Sequence, residues 1–270
     1  MADVPRDVRE ALDAGLLETK TLVEWLSIDV ARLLAAALPE VGLERESGAI
    51  VAAWSHLSAA GVTRRVRGAG EALESGLRGH PRRAKILDRL ASHASDMVRA
   101  FACYAFGAEE RPGLEERIAA ARRFAADAAM SVRECAWDAI RPHLVRDLPR
   151  AIRLLGPWVR DPDANVRRCA VEATRPRGVW TAHVEALKRD PEPARPLLEP
   201  VRSDPSLYVR NAVGNWLNDA SKSRADWVRA LCDRWTAESS TPETAAIVKR
   251  GLRTLRKAGG SRREAGNGRG

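Results

Sequence analysis

The stretch that decides the fold occurs twice, as VRECAWDAIRP from Val132 and as VRRCAVEATRP from Val166. Each copy has a carboxylate six residues after its valine and an Arg-Pro pair nine and ten residues after it. Two further stretches align on the same Val-Arg dipeptide, VRAFACYAFG from Val98 and VRNAVGNWLN from Val209. The four valines lie 34, 34 and 43 residues apart. A period in this range, with about two helices per unit, is typical of helical-repeat proteins.

The composition of the 270-residue chain favours helices. Ala, Leu, Arg and Glu dominate, and aromatic residues make up only 5% of the chain. Alanine and straight-chain residues are the strongest helix formers, and no run of alternating β-branched residues predicts a strand. The sequence therefore predicts an all-α fold, a right-handed α-solenoid of stacked antiparallel helix pairs with HEAT-like repeats in an ARM-repeat-like superhelix. We expect one such domain over 1–257 and a disordered, basic, Gly-rich tail over 258–270.

Membrane, metal and cofactor sites are not predicted. No apolar run reaches the roughly 18 residues of a membrane span, and the start MADVPRDVRE is too polar for a signal peptide, so we expect a cytoplasmic protein. The four cysteines form no CxxC pair, and the five histidines are scattered. Metal-ligand spacing is therefore lacking, and we expect reduced thiols, no metal and no cofactor.

The other periodic segments predict the remaining helices. First helices of the pairs are expected near Arg82 to Ser92, Leu114 to Asp127, Leu148 to Arg160 and Pro193 to Arg202, with a short helix near Thr181 to Lys188. Upstream segments run over Val8 to Leu38, Ser47 to Ala60 and Arg65 to Leu77, with breaks at Pro39 and Gly61, and a last pair covers Arg224 to Trp235 and Thr241 to Leu255.

Two faces of each repeat helix follow from the helical period. Counted from the valine, offsets 3, 4, 7 and 8 are small or apolar and predict the core stripe, which includes Cys135, Cys169 and Trp216. Offsets 2, 6 and 9 lie opposite and predict a continuous lining of a concave surface. Trp137, at offset 5, is expected to be exposed beside this lining. The lining residues are Ala100, Tyr104, Gly107, Glu134, Asp138, Arg141, Arg168, Glu172, Arg175, Asn211, Asn215 and Asn218.

Two motifs resemble those of a known family. VRRCAVEATRPRGVW from Val166 and SDPSLYVRNAVGNWLNDASKS from Ser203 resemble the HEAT-like-repeat DNA alkylation repair proteins, the AlkC/AlkD superfamily, and are closer to the AlkC branch. The likeness covers roughly Met130 to Trp235. Ala173, Gly178 and Val179 depart from the AlkC pattern, and Trp137-Asp138 stands where that branch has Glu-Phe, so the acid has moved by one place.

The resemblance implies a monomeric DNA glycosylase that removes positively charged N-alkylated bases such as 3-methyladenine from duplex DNA, without extruding the base into a pocket. Glu172 and Trp180 match the active-site positions of the family. A cationic base needs no general acid to depart, but a carboxylate can stabilise the oxocarbenium-like sugar and position water. We expect Glu172 and Asp138 to be the catalytic carboxylates. Lesion or backbone contacts are assigned to Trp137, Trp180, Tyr104 and Asn215, and phosphate contacts to Arg141, Arg168, Arg175, Arg177, Asn218 and Lys222.

The residues leave alternatives open. The net charge is +9, but the residues from Arg253 onward contribute +5 of it, so the body of the chain is only weakly basic. Glu172 and Asp138 could also form ordinary helix ion pairs with nearby arginines. The alternative functions are a non-catalytic repeat protein that binds DNA structures or a protein partner, and a scaffold that binds proteins alone. Arg133, Arg167 and Arg210 are expected to form a polar ladder between repeats.

Overall fold

The computed structural model describes residues 4–178 and 180–257. Its regular elements are all helical, and these residues contain no strand. The α-helices, numbered in chain order, are α1 Arg6–Asp13, α2 Leu22–Ser27, α3 Val30–Glu40, α4 Ser47–Trp54, α5 Val62–Gly76, α6 Arg83–Ala91, α7 Asp96–Ala108, α8 Leu114–Ala125, α9 Met130–Leu144, α10 Leu148–Leu155, α11 Ala164–Ala173, α12 Glu185–Arg189, α13 Arg195–Leu198, α14 Leu207–Ser221, α15 Ala225–Glu238 and α16 Pro242–Gly251. Short 3-10 turns occupy Ser55–Leu57, Val145–Asp147, Trp158–Arg160, Glu192–Ala194 and Glu199–Val201.

The four Val-Arg stretches form α7, α9, α11 and α14, as predicted. Their valines, at the start of the core stripe, are completely buried. Cys135, Cys169 and Trp216 also lie in the core, and the four cysteines are free thiols. Apolar burial at these positions is the main favourable contribution to packing, at roughly 1.5–3 kcal/mol per large side chain.

The arginine after each repeat valine forms the same local structure. It donates through Nη1 to the two carbonyls five and six residues earlier: Arg167, for example, lies 2.9 Å from Asp161 O and 3.0 Å from Pro162 O. Arg99, Arg133 and Arg210 repeat this geometry. Arg167 also makes a bidentate ion pair with Asp204 at 2.7 and 2.9 Å, which ties two successive repeats together. The predicted polar ladder is confirmed for this pair.

The chain divides into two compact units, Met1–Ile140 and Arg141–Gly270. In the first unit α5 crosses α7 closely at Gly70, where a Cβ atom would lie 2.4 Å from Tyr104 Cβ and 2.8 Å from Ala105 N. In the second unit α16 lies close to α14 at Gly251, where a Cβ atom would lie 2.9 Å from Leu217 Cβ. The expectation of one domain over 1–257 stays a prediction, and the predicted tail 258–270 lies outside the described residues.

Several predicted helix boundaries are wrong. The segment predicted over Val8 to Leu38 divides into α1, α2 and α3, because Gly15 adopts a positive φ of 76° and Thr21 and Asp29 cap new helices. Pro39 lies inside the last turn of α3. The segments predicted over Leu148 to Arg160 and Pro193 to Arg202 are shorter helices with 3-10 turns, and α12 begins at Glu185.

The longest described helices have 15 residues, which is short of the roughly 20 that cross a bilayer. Among residues 4–178 and 180–257, no helix has the length and apolar character of a membrane span. The same residues hold no group of three or more His, Cys, Asp or Glu side chains arranged to bind a metal ion.

Candidate active site

Two carboxylates of the second unit share one guanidinium. Glu172 lies near the end of α11, and Asp219 lies on α14. Arg175 is between them: its Nη1 is 3.0 Å from Glu172 Oε2, and its Nη2 and Nε are 2.7 and 3.0 Å from Asp219 Oδ2. Glu172 and Asp219 are each 3% exposed. The cluster therefore brings together two acids that are 47 residues apart in the chain.

The end of α11 is fixed by groups that bind its last carbonyl and the two carbonyls that follow it in the chain. Arg141 donates to the carbonyl oxygens of Ala173 at 3.1 Å and of Arg175 at 2.6 Å. The indole Nε1 of Trp216 donates to Thr174 O at 3.1 Å. These donors satisfy carbonyls that have no partner within the helix, and a cation at a helix C-terminus also interacts favourably with the helix dipole. The backbone that carries Glu172 and Arg175 is therefore held on both sides.

Cations surround the two carboxylates. Arg168 Nη2 lies 3.5 Å from Glu172 Oε1, and Lys222 Nζ lies 3.2 Å from Asp219 Oδ1. Burial lowers the pKa of Arg175, but attraction to Glu172 and then to Asp219 outweighs it and raises that pKa above its ordinary value. Arg175 is therefore a permanent cation, and the cluster has at least three cations for two carboxylates.

The aromatic ring of Tyr208 packs against the guanidinium of Arg168. The guanidinium carbon of Arg168 lies 4.2 Å from the centre of the Tyr208 ring, within the distance of a cation–π contact. Arg168 therefore touches an aromatic face and the Glu172 carboxylate at the same time.

Asp138 belongs to a separate cluster in the first unit. Its Oδ2 accepts from Tyr104 Oη at 2.7 Å and from Arg67 Nη2 at 2.6 Å. Asp138 is 1% exposed, and its Oδ1 has no hydrogen-bond partner among the described residues. Burial, and after it the neighbouring Cys135 and Asp138, raises the pKa of Tyr104 well above its ordinary value, so the phenol is a neutral donor.

Comparison with known proteins assigns the chain to a family. The sequence profile described as DNA alkylation repair enzyme matches residues 77–247, which is more than half of the chain and includes Glu172, Arg175, Asp219 and Asp138. The chain belongs to the DNA alkylation repair enzyme family.

This member of the DNA alkylation repair enzyme family is also similar to a curated protein and to solved structures. The chain is 42% identical over 121 residues to an uncharacterized protein, YhaZ, of Bacillus subtilis; the match covers 45% of this chain and 33% of that protein. It is similar to the Pseudomonas fluorescens alkylpurine DNA glycosylase AlkC bound to DNA containing an abasic site analog, with 26% identity and a TM-score of 0.71 over 94% of this chain and 65% of that one.

AlkD2 from Streptococcus mutans shares the fold, with 21% identity and a TM-score of 0.58 over 77% of this chain and 97% of AlkD2. The predicted all-α helical-repeat fold is confirmed. The chain spans about a third of the length of the Bacillus protein and less than two thirds of the solved AlkC chain.

The structure corrects several predicted contacts in this family member. Trp137 is buried, with only 4% of its surface exposed, and its Nε1 donates to Glu134 Oε2 at 3.1 Å. Tyr104 is buried with Asp138 and does not contribute to an open lining. Arg141 is buried and donates to carbonyls, and Asn218 is buried and accepts from Thr254 N and Oγ1, so neither presents its bonded groups to a phosphate. The prediction of an open lining is also wrong at Ala100 and Gly107, because both residues are buried.

Other predicted site residues lie at accessible positions. Trp180 is 54% exposed, and Lys222 is also exposed. Arg177 is half-buried, and donates to Asp219 O at 3.3 Å and to Ser223 Oγ at 2.6 Å. Asn215 is half-buried and faces Arg250 and Arg253. These residues lie within reach of a partner at the surface.

Three residues of the two clusters are missing from the sequence prediction. Asp219 lies in the Leu-Asn-Asp motif, which is interpreted as the cap of a helix end. Its position four residues after Asn215 puts it on the same helix face as that lining residue, and this spacing could have identified it. Tyr208 directly precedes a repeat valine and is outside the predicted lining. Arg67 lies on α5, upstream of the repeats, so no repeat position identifies it.

Proposed function

We propose that this chain is a DNA repair glycosylase that hydrolyses the N-glycosidic bond of positively charged, 3-methyladenine-like N-alkylated bases in duplex DNA. The observation that carries the proposal is the Glu172–Arg175–Asp219 cluster, because it concentrates two carboxylates inside a basic surround within the family-matched segment. The likeness to a solved AlkC bound to DNA with an abasic site analog supports it.

The proposed reaction uses the charge already present on the damaged base. The bond between C1′ and the base nitrogen breaks, and its electron pair neutralises the departing base, so no acid has to protonate it. Positive charge develops on the sugar, where the Glu172 carboxylate stabilises it electrostatically. A water oxygen then bonds to C1′, and its proton passes to a carboxylate and on to solvent. In this mechanism Glu172 positions the water.

Asp219 replaces Asp138 as the second acid of this proposal. Asp219 is joined to Glu172 through Arg175, whereas Asp138 lies in the other unit, where its Oδ2 accepts from Tyr104 and Arg67. Trp180 follows the same helix as Glu172 and exposes about half of its surface, so we assign it a face contact with the lesion or its sugar, worth roughly 0.5–2 kcal/mol.

The test is release of 3-methyladenine from methylated duplex DNA by the purified protein. We expect release by the wild-type protein and a loss of at least 100-fold in Glu172→Gln, which removes the charge and keeps the shape. Glu185→Gln is the matched control, because Glu185 is an exposed glutamate of the same unit that pairs with Lys188. Wild-type rates in Glu172→Gln would rule out the mechanism.

A non-catalytic DNA-binding protein is the second candidate. Trp137 stands where the resembled AlkC motif has an acid, and the adjacent Asp138 is enclosed by Tyr104 and Arg67, which favours this alternative. Salt-sensitive binding to duplex DNA without release of any alkylated base would select it.

A further inference from the structure

Two arginines at the C-terminal end of the described chain converge on one neutral oxygen. Arg250 Nη1 lies 3.5 Å and Arg253 Nη1 lies 2.9 Å from the amide Oδ1 of Asn215. Arg250 is in the last turn of α16, Arg253 is in the helical turn that follows, and both are exposed. Within residues 4–178 and 180–257, neither guanidinium forms an ion pair with a carboxylate. Two full positive charges therefore share an uncharged partner.

The electrostatic environment of Arg253 shows the resulting excess of positive charge. Partial burial, then repulsion from Arg250 and also from Arg175, lowers the pKa of Arg253 below its ordinary value, and only Asp219 acts against this. Asn215, which bonds both arginines, lies four residues before Asp219 on α14, so the pair lies beside the Glu172–Arg175–Asp219 cluster. An anion at this position would relieve the repulsion between the two arginines.

Close helix packing holds both arginines in place. The stem of Arg250 lies against Gly214 of α14, where a Cβ atom would be 2.7 Å from Arg250 Cδ and 2.8 Å from its Cβ and Cγ. No other residue type leaves room for this stem without a shift of the helix or the side chain. The turn that carries Arg253 is fixed by Thr254, whose N and Oγ1 donate to Asn218 Oδ1 at 3.2 and 2.9 Å.

We propose that Arg250, Arg253 and Asn215 form a phosphate-binding site that holds one phosphodiester of the DNA backbone next to the Glu172–Arg175–Asp219 cluster. Guanidinium groups present forked N–H donors that match phosphate oxygens, and such charge-assisted bonds are roughly twice as strong as bonds to a neutral amide. The phosphate replaces the Asn215 amide oxygen as the acceptor. The inference rests on the proposed function for the nucleic acid, but requires DNA binding and not base release.

The experiment measures the affinity of the full chain for undamaged duplex DNA at several NaCl concentrations. Loss of a phosphate contact reduces the magnitude of the slope of log K against log salt by about 0.9. Because both arginines hold the same phosphodiester, Arg250→Gln and Arg253→Gln should each flatten the slope by up to about 0.9 and weaken binding by up to about tenfold near 0.1 M salt. Lys249→Gln is the matched control: it removes an exposed cation next to Arg250 and should change the slope by much less.

Two further variants distinguish the position of the Arg250 side chain from the net charge of the site. Gly214→Ala keeps every charge but displaces the Arg250 stem, and Asn215→Asp supplies the missing counter-charge; both should weaken duplex binding as much as Arg250→Gln. Asn211→Asp adds the same charge one turn earlier on α14 and should have a smaller effect. Unchanged thermal midpoints show that the variants are folded.

The outcomes are distinct. Slopes in Arg250→Gln and Arg253→Gln equal to that of Lys249→Gln overturn the site. If inorganic phosphate binds with a dependence on Arg250 while the duplex slope stays that of the wild-type protein, the site takes free phosphate and the DNA role is overturned. If the slopes flatten as expected but no alkylated base is released, the phosphate site stands and the proposed glycosylase function fails.

Discussion

Arg175 bridges Glu172 and Asp219, with its guanidinium nitrogens 3.0 Å from the first carboxylate and 2.7 Å from the second. Arg175→Met should lower the free energy of unfolding by about 3–5 kcal/mol, because two buried carboxylates lose the cation between them. Urea denaturation measures the loss. Arg229→Met, which removes an exposed arginine of α15, should change stability by less than about 0.5 kcal/mol.

The same bridge predicts a rescue. If repulsion between carboxylates causes the loss, Glu172→Gln in the Arg175→Met background should recover part of it, so that the double variant is more stable than the sum of the single changes predicts. Simple additivity would mean that Arg175 acts through packing alone.

The contact between Arg168 and Tyr208 predicts a measurable coupling. Tyr208→Phe keeps the ring under the guanidinium, so it should retain more of the wild-type stability than Tyr208→Leu. In a double-mutant cycle with Arg168→Met, the coupling with Tyr208→Leu should be about 0.5–2 kcal/mol. A coupling near zero would show that the 4.2 Å contact contributes nothing to the fold.

The ion pair between Arg167 and Asp204 predicts a loss of repeat packing. Arg167→Met removes the bidentate pair and two bonds to the carbonyls of Asp161 and Pro162, so it should cost about 3 kcal/mol of stability. Arg160→Met is the control, since this exposed arginine makes a single bond to Gly156 O. Equal melting temperatures for the two variants would contradict a ladder role.

Tyr104 predicts a loss of stability in alkali. Its pKa is raised in the folded protein, so the unfolded chain releases the phenol proton first and the free energy of unfolding should fall as the pH rises above about 10. The loss per pH unit approaches about 1.4 kcal/mol for one proton. Tyr104→Phe should lack this contribution.

Because the chain has two tyrosines, absorbance at 295 nm in a Tyr208→Phe background follows Tyr104 alone. We expect no phenolate until the protein unfolds. Ionisation of Tyr104 near pH 10 in the folded protein would contradict the buried hydrogen bond to Asp138.

The repeat helices were predictable because the spacing of small and apolar residues shows both the repeat period and the core stripe. The exposure of the opposite face, the predicted lining, was not predictable in this way. The prediction assumes that each repeat helix is covered on one side, but α5 also covers α7, so Tyr104 at a lining offset is buried. Arg67 comes from outside the repeats and has no repeat position that could identify it. Glu172 was found because its motif resembles a family motif; Asp219 was missed because the partner that joins it to Glu172, Arg175, lies 44 residues away in the chain.

Arg141 and Arg175 occupy the same offset of successive repeats, yet Arg141 donates to the carbonyls at the end of α11 while Arg175 donates to two carboxylates. The same residue type therefore stabilises the backbone in one repeat and holds two carboxylates in the next. Transferring the role of Arg175 to Arg141 by alignment alone would therefore assign the wrong contacts, and engineered swaps between repeats should be planned from the contacts of each residue.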